Sequence, residues 1–205
     1  MKIAIIGTGN VGGALATKWA FAGHEICLGV RDLTEFKGKE LLANPLTQVK
    51  TIQEAVAHSE VILIATPALT AVEVTQNLGD TTGKIIIDTM NIIMGRGPLN
   101  YTSTTQAILD HTQTRDVVKC FNTTGFNNMK DPKYGEHKLD LFVAGDSEKG
   151  KEVAQQLAID AGFEQCISIG GNDKFQLMEQ FAWFWINLAM FQGQGREIGF
   201  KLFKR

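Results

Sequence analysis

This chain is poor in the residues that carry acid–base or covalent chemistry. Among its 205 residues are four histidines and three cysteines. Cys27, Cys120 and Cys166 are odd in number and widely spaced, with no C-x-x-C. A disulfide framework or a zinc site is therefore not expected, and small buried thiols in a reducing cytoplasm are. His24, His58 and His111 fall near turns or helix ends, where surface or capping roles are the default, and His137 falls in a polar loop. Neither sign of charge dominates: 20 basic against 22 acidic residues give −2, which excludes nucleic acid and membrane surfaces as expected partners. Long hydrophobic runs are missing too. The most apolar stretch, "FAWFWINLAMF" from Phe181 to Phe191, is far short of the ~20 residues of a membrane span. No charged leader precedes a hydrophobic run, so a soluble cytoplasmic protein is expected. No Ser–His–Asp pattern, H-E-x-x-H or clustered carboxylates appear, so no catalytic side chain and no metal ligand is assigned.

What is present is an alternation. Continuous apolar runs at Lys2–Ile6, Glu25–Gly29, Val61–Ala65, Lys84–Asp88, Val117–Phe121, Leu139–Ala144 and Gln165–Ile169 read as strands covered on both faces. Helical patterns lie between them at Val11–Ala22, Ile52–His58, Ala68–Leu78, Thr104–Thr112 and Ser147–Ala161. This rhythm predicts an α/β fold, a doubly wound, mostly parallel sheet of the Rossmann type. After Gly170-Gly171 the alternation stops, and one helical pattern runs from Asp173 to Gln192. The expected organisation is a dinucleotide-binding domain over 1–170 and a small helical segment over 171–205. The second half of that helix is apolar all round, so it either crosses a groove of its own domain or is covered by a second copy.

The residues "IIGTGNVGGALA" place Gly7, Thr8, Gly9, Asn10, Val11 and Gly12 in G-x-G-x-x-G. The pattern is short, but it follows a predicted strand and opens a predicted helix, the context that gives it meaning. The first glycine permits the sharp turn, the second the approach of a pyrophosphate, and the third close packing of helix on strand. The helix start adds unpaired N–H groups and a positive dipole end. At the end of the second strand stand both Arg31 and Asp32. Arg31 favours the 2′-phosphate of NADP. Asp32, at the usual interval after Gly12, is the rival and would take the ribose hydroxyl of NAD. Lys37 and Lys39 lie close behind.

Ligands of such sheets collect beyond the carboxyl ends of the strands. There the chain offers Ala65, Thr66 and Pro67, then Asn91, then Asn122, Thr123, Thr124 and Gly125. These suit a nicotinamide and its acceptor but not proton chemistry, which points to hydride transfer by positioning.

Together, "MKIAIIGTGNVGGALA", "AGHEICLGVRD", "VILIATP", "VVKCFNTTGFNNM", "DLFVAGDSEKGKEVAQQL" and "NLAMFQGQGREIGFKLFKR" resemble the NADP oxidoreductases that use the deazaflavin coenzyme F420. That family includes the reductase domains of STEAP-type metalloreductases and is related to pyrroline-5-carboxylate reductase. The resemblance covers nearly the whole chain, and "FNTTG" and "QGxGRE" are its more particular motifs. It implies a homodimer and hydride exchange between NADPH and a planar acceptor: a deazaflavin, a flavin or a ferric chelate. Thr8, Asn10 and Val11 would touch the pyrophosphate, Arg31 the 2′-phosphate, Thr66 and Pro67 the nicotinamide half, and Asn122 to Gly125 would border the acceptor. At the Arg31 turn the chain departs from the family, with Val30 where a serine is usual and Glu35 where a second base is usual. Two other readings stand beside this one. One is an NADPH-dependent reductase of a small imine or carbonyl; Lys174 stands where it could imitate the catalytic lysine of the hydroxyacid dehydrogenases, but reads as an exposed first-turn lysine. The other is a dinucleotide-binding sensor without turnover.

Overall fold

The computed structural model describes residues 1–205. Strands β1 (Lys2–Ile6), β2 (Glu25–Val30), β3 (Thr47–Thr51), β4 (Val61–Ile64), β5 (Ile85–Asp88), β6 (Val117–Cys120), β9 (Asp140–Ala144) and β10 (Gln165–Ser168) form one sheet. A two-residue-a-side hairpin, β7 (Lys133–Tyr134) and β8 (His137–Lys138), stands apart from it. The helices are α1 (Asn10–Phe21), α2 (Ile52–His58), α3 (Ala71–Gln76), α4 (Thr104–His111), α5 (Phe126–Lys130), α6 (Glu148–Asp160) and α7 (Phe175–Ile186). A π turn, Asn187–Phe191, extends α7.

The sheet order is β10-β9-β6-β5-β4-β1-β2-β3. From β1 the chain winds outward through β2 and β3 on one side, then returns to β4, β5 and β6 on the other. The direction of winding therefore reverses between β1 and β4, and in open α/β sheets that reversal opens the ligand crevice. All pairs from β3 to β6 are parallel, but β9 runs antiparallel to β6, and β10 follows β9. The hairpin after α5 returns the chain to the far end of the sheet, so the last two strands run against the rest.

The central strands are apolar on both faces because both are covered. On one face Ile3, Ile5 and Leu63 pack with Leu15 and Trp19 of α1 and Leu157 of α6. On the other Ala4, Ile6 and Ile62 pack with α2, α3, α4 and with Phe175 and Met178 of α7. Side chains close the starts of several helices. Thr51 and Glu54 form a reciprocal capping box on α2, Ser103 caps α4, and Ser147 caps α6, satisfying donors that would otherwise be orphaned. α1 has no such side chain: its N-cap is Gly9, and no acidic residue stands in its first turn.

Candidate coenzyme and acceptor site

The three glycines of the loop between β1 and α1 differ in what confines them. Gly7 has φ +102°, and a Cβ there would lie 2.6 Å from the carbonyl oxygen of Ala65 on the neighbouring strand end. Gly12 could not carry one either, since it would stand 1.9 Å from the oxygen of Gly7. Gly9 is different. Its backbone is extended (φ −76°, ψ −156°), a conformation open to any residue, and a Cβ would meet nothing within 4 Å. Neither strain nor crowding within the protein requires glycine here. What the bare backbone leaves is open space directly in front of the uncapped N–H groups of α1, where an anion is stabilised by donors and dipole together. Thr8 borders this space and donates its hydroxyl to the carbonyl of Lys37. This bond fixes the segment after β2 beside the loop. Asn10 is exposed and Val11 half-buried on the first turn of α1.

Arg31 and Asp32 follow β2, both exposed. Arg31 has no ion-pair or hydrogen-bond partner within the protein. Asp32 has three: its Oδ1 accepts from Thr34 N at 2.8 Å, Thr34 Oγ1 at 2.7 Å and Glu35 N at 3.1 Å. The Thr34 side-chain bond, followed by these backbone bonds, holds the Asp32 carboxyl below the usual aspartate range. Locally this carboxylate shapes the turn, while the guanidinium next to it is free. A groove of about 860 Å³ runs from Thr8 and Asn10 past Lys18, Lys37 and Lys39 to Lys130.

The other strand ends converge as the sequence places them. Ala65 continues β4, its N–H bonded to Ile6 O at 2.8 Å, and Thr66 Oγ1 donates to Met90 Sδ at 3.4 Å. Pro67 is exposed and opens the turn into α3. Asn91 and Asn122 are clasped amide to amide: Asn91 Nδ2 donates to Asn122 O at 2.9 Å, and Asn122 Nδ2 to Asn91 Oδ1 at 3.0 Å. Asn122 Nδ2 also reaches Met178 O on α7 at 3.1 Å, while its own buried Oδ1 has no partner. Thr123 is buried, and Thr124 Oγ1 accepts from Asn128 Nδ2 at 2.7 Å. Gly125 lies under Trp185, whose Cη2 would be 2.6 Å from a Cβ there. The turn into this loop is made by Phe121 in a left-handed conformation, φ +58°. Its ring is fully buried, edge-on to Trp19 with centroids 5.5 Å apart.

Beneath this loop lies a cluster that reading along the chain does not find. Lys119 is wholly buried on β6. Its Nζ stands 3.0 Å from Asp88 Oδ2, 2.9 Å from Glu179 Oε1, 2.8 Å from Met90 O and 3.0 Å from Thr104 Oγ1. Burial pulls the amine toward losing its proton, but Asp88 and Glu179 outweigh it and hold Lys119 above the usual lysine range. Glu179 Oε2 accepts from Ile92 N at 2.7 Å, so one cluster ties α7 to the backbone following Asn91. The signal was a charged residue in the middle of "VVKC", a strand with no solvent face. Such a lysine requires buried carboxylates.

One expectation is corrected. His24 is neither a surface nor a capping residue: it is 8% exposed, and its Nε2 lies 3.0 Å from Asp160 Oδ2 on α6. Packing of the α1–β2 turn against the end of α6 buries it. Lys174, read from the sequence as an exposed first-turn lysine, stands in the turn before α7, in an ion pair with Asp173.

Residues 2–92 match the family model described as NADP oxidoreductase, coenzyme F420-dependent. Over those residues, a little under half of its length, the chain is similar to that family. Among curated relatives, an F420-dependent NADP reductase of Methanothermobacter marburgensis is 26% identical over 208 residues, covering 92% of each chain. A glycerol-3-phosphate dehydrogenase [NAD(P)+] of Thermoanaerobacter sp. is 23% identical over 215 residues, covering 87% of this chain but only 64% of its own length. A crystal structure from Arthrobacter sp., whose description proposes an F420-dependent NADP-reductase, superposes over 100% of both chains with a TM-score of 0.83 at 27% identity. The chain is an oxidoreductase.

Proposed function

We propose that this protein moves a hydride between NADP(H) and a planar acceptor of the deazaflavin or flavin type. The observation that carries the reading is Gly9, a glycine that no protein atom crowds and no backbone angle demands, set before an uncapped helix. Open backbone and unsatisfied amides are what a diphosphate needs. Arg31, free and unpaired, supports NADP over NAD because its planar fork suits a phosphate monoester. Asp32 supports this by default, since its carboxylate is committed to the turn.

Thr66 and Pro67 border the nicotinamide half, and the clasped Asn91 and Asn122 hold the loop through Gly125 at the acceptor side. Thr66 and Pro67 would hold the nicotinamide against an acceptor bordered by Asn122 through Gly125; NADPH would supply the hydride there, and the balancing proton would come from bulk solvent outside the ring contact. The protein's part is alignment of two flat rings and exclusion of water, for which uncharged, hydrogen-bonding side chains suffice. The exposed apolar residues Leu177, Trp183, Phe184, Met190 and Phe191 support a homodimer formed through the carboxyl-terminal helix.

Stopped-flow oxidation of NADPH, with a deazaflavin, a flavin, a ferric chelate and a cyclic imine offered in turn, tests the reading. Saturable oxidation with a deazaflavin or flavin is expected. Turnover of the imine alone would replace it with imine reduction. Tight NADPH binding without turnover of any acceptor would leave a sensor.

A further inference from the structure

Arg196 has no carboxylate partner, yet it is held in place. Its Nε donates to Asn127 Oδ1 at 3.2 Å. Its guanidinium carbon lies 4.9 Å from the centroid of Phe126 and 5.9 Å from that of Trp185. Glu197, the adjacent acid, is taken by Asn127 Nδ2 at 3.1 Å and forms no ion pair with Arg196. Nη1 has only a 3.8 Å contact with Met190 Sδ. Nη2 would lie 3.5 Å from a Cβ on Gly125, so the free edge of the fork rests against the acceptor-side loop. On Phe126 a second cation is placed, Lys130 Nζ at 5.3 Å from the centroid. Stacking on rings fixes the plane of a guanidinium while leaving its in-plane donors unspent, the arrangement that selects a bidentate oxyanion.

We propose that Arg196 is a specificity-determining residue for the acceptor, gripping an anionic group carried on the acceptor's side chain. The preferred substrate is then a planar acceptor with an oxyanion-bearing tail rather than the bare ring system. This rests on the hydride-transfer reading above and adds the acceptor's chemical class to it.

The test uses 5-deazariboflavin and its 5′-phosphate as acceptors, with NADPH and the full-length protein. In the wild type the phosphorylated form should show a KM at least about tenfold lower at similar kcat, the worth of one charge-assisted fork. Arg196→Met should erase that difference by raising the KM of the phosphorylated form alone, leaving the uncharged acceptor and NADPH within about twofold. Arg196→Lys, keeping charge but not the fork, should retain part of the discrimination. Equal KM values for the two acceptors in the wild type would overturn the proposal. So would proportional losses on both in Arg196→Met, which would make the residue an anchor of the tail only. If Arg196→Met fails to fold, salt dependence of the wild type decides. A KM that rises with salt for the phosphorylated acceptor alone supports the grip, and no difference overturns it. If neither acceptor is reduced, the hydride-transfer reading falls. Fluorescence titration of the 5′-phosphate onto the NADP-saturated protein then judges Arg196 separately: binding weakened in Arg196→Lys and lost in Arg196→Met supports it, and unchanged binding in Arg196→Met overturns it.

Discussion

Lys119 and Glu179, sixty positions apart in sequence, meet at 2.9 Å with no solvent between them. The contact joins the sixth strand to α7, which packs on the loop from Asn122 to Gly125, and Asp88 completes it from the adjacent strand. Removing the cation leaves two buried carboxylates facing each other. Lys119→Met is therefore expected to destabilise the fold by about 3–5 kcal/mol, read from urea denaturation, because breaking one partner of a buried pair strands the others. The triple variant Lys119→Met, Asp88→Asn, Glu179→Gln should recover much of that loss. A single variant with unchanged midpoint would refute the role.

Gly9 and Gly12 should separate binding from folding. Gly9→Val is expected to fold with a stability change under about 1 kcal/mol, and to lose NADPH and NADH binding by at least about tenfold. Gly12→Ala, whose methyl would overlap the Gly7 carbonyl, should cost more than about 2 kcal/mol. Calorimetry and thermal melts on both variants check this, and undiminished coenzyme binding by Gly9→Val would remove the phosphate assignment.

Arg31→Ala should weaken NADPH by about 10- to 100-fold, the range of a hydrogen-bonded charge contact, and leave NADH within about twofold. An equal loss for both coenzymes would mean that Arg31 does not meet the 2′-phosphate.

Cys27 is held protonated by burial, its thiol pushed up to about 11. The unfolded chain releases this proton first, so the contribution is fully present below pH ~9 and declines as pH rises toward 11. Thiol-reactive reagents at pH 9 should label the native protein far more slowly than the urea-unfolded chain. Equal rates would contradict the buried placement.

Light scattering should give twice the 22.5 kDa of one chain. Trp183→Glu with Phe184→Glu should return the mass to that of one chain, because these side chains are 38% and 51% exposed on the apolar helix. A wild type of single-chain mass would remove the pairing from the proposal.

Much of the fold was legible in the runs themselves. "IAII", "VILI" and "III" at the centres of β1, β4 and β5 are apolar throughout because both faces of the sheet are covered, and α2 falls at Ile52–His58 as its pattern predicts. Strand β3 was not legible. "TQVKT" holds one apolar residue, as an edge strand with half-exposed faces permits. The five-residue α5 is too short to show a period, and the reversal of β9 leaves no trace in "DLFVA", since a buried strand reads the same in either direction. The glycine loop was legible because its chemistry is local. Arg196 was not, because it acquires its setting from Phe126 and Asn127, seventy and sixty-nine positions earlier, and from a helix in between.

Phe121 has one further implication. A bulky residue adopts a left-handed backbone only where its surroundings over-determine it, at a cost of about 1–3 kcal/mol. Here the surroundings are the indole of Trp19 and the packed interior. The heading on which the chain leaves the sixth strand, and hence the aim of Asn122 through Gly125, is set by two rings wholly buried in the interior. Efforts to retune which molecule receives the electrons will succeed only on backgrounds that keep that pair. Drift in the interior, even conservative drift at position 19, is expected to shift the path of Asn122 through Gly125 as well as to loosen the core.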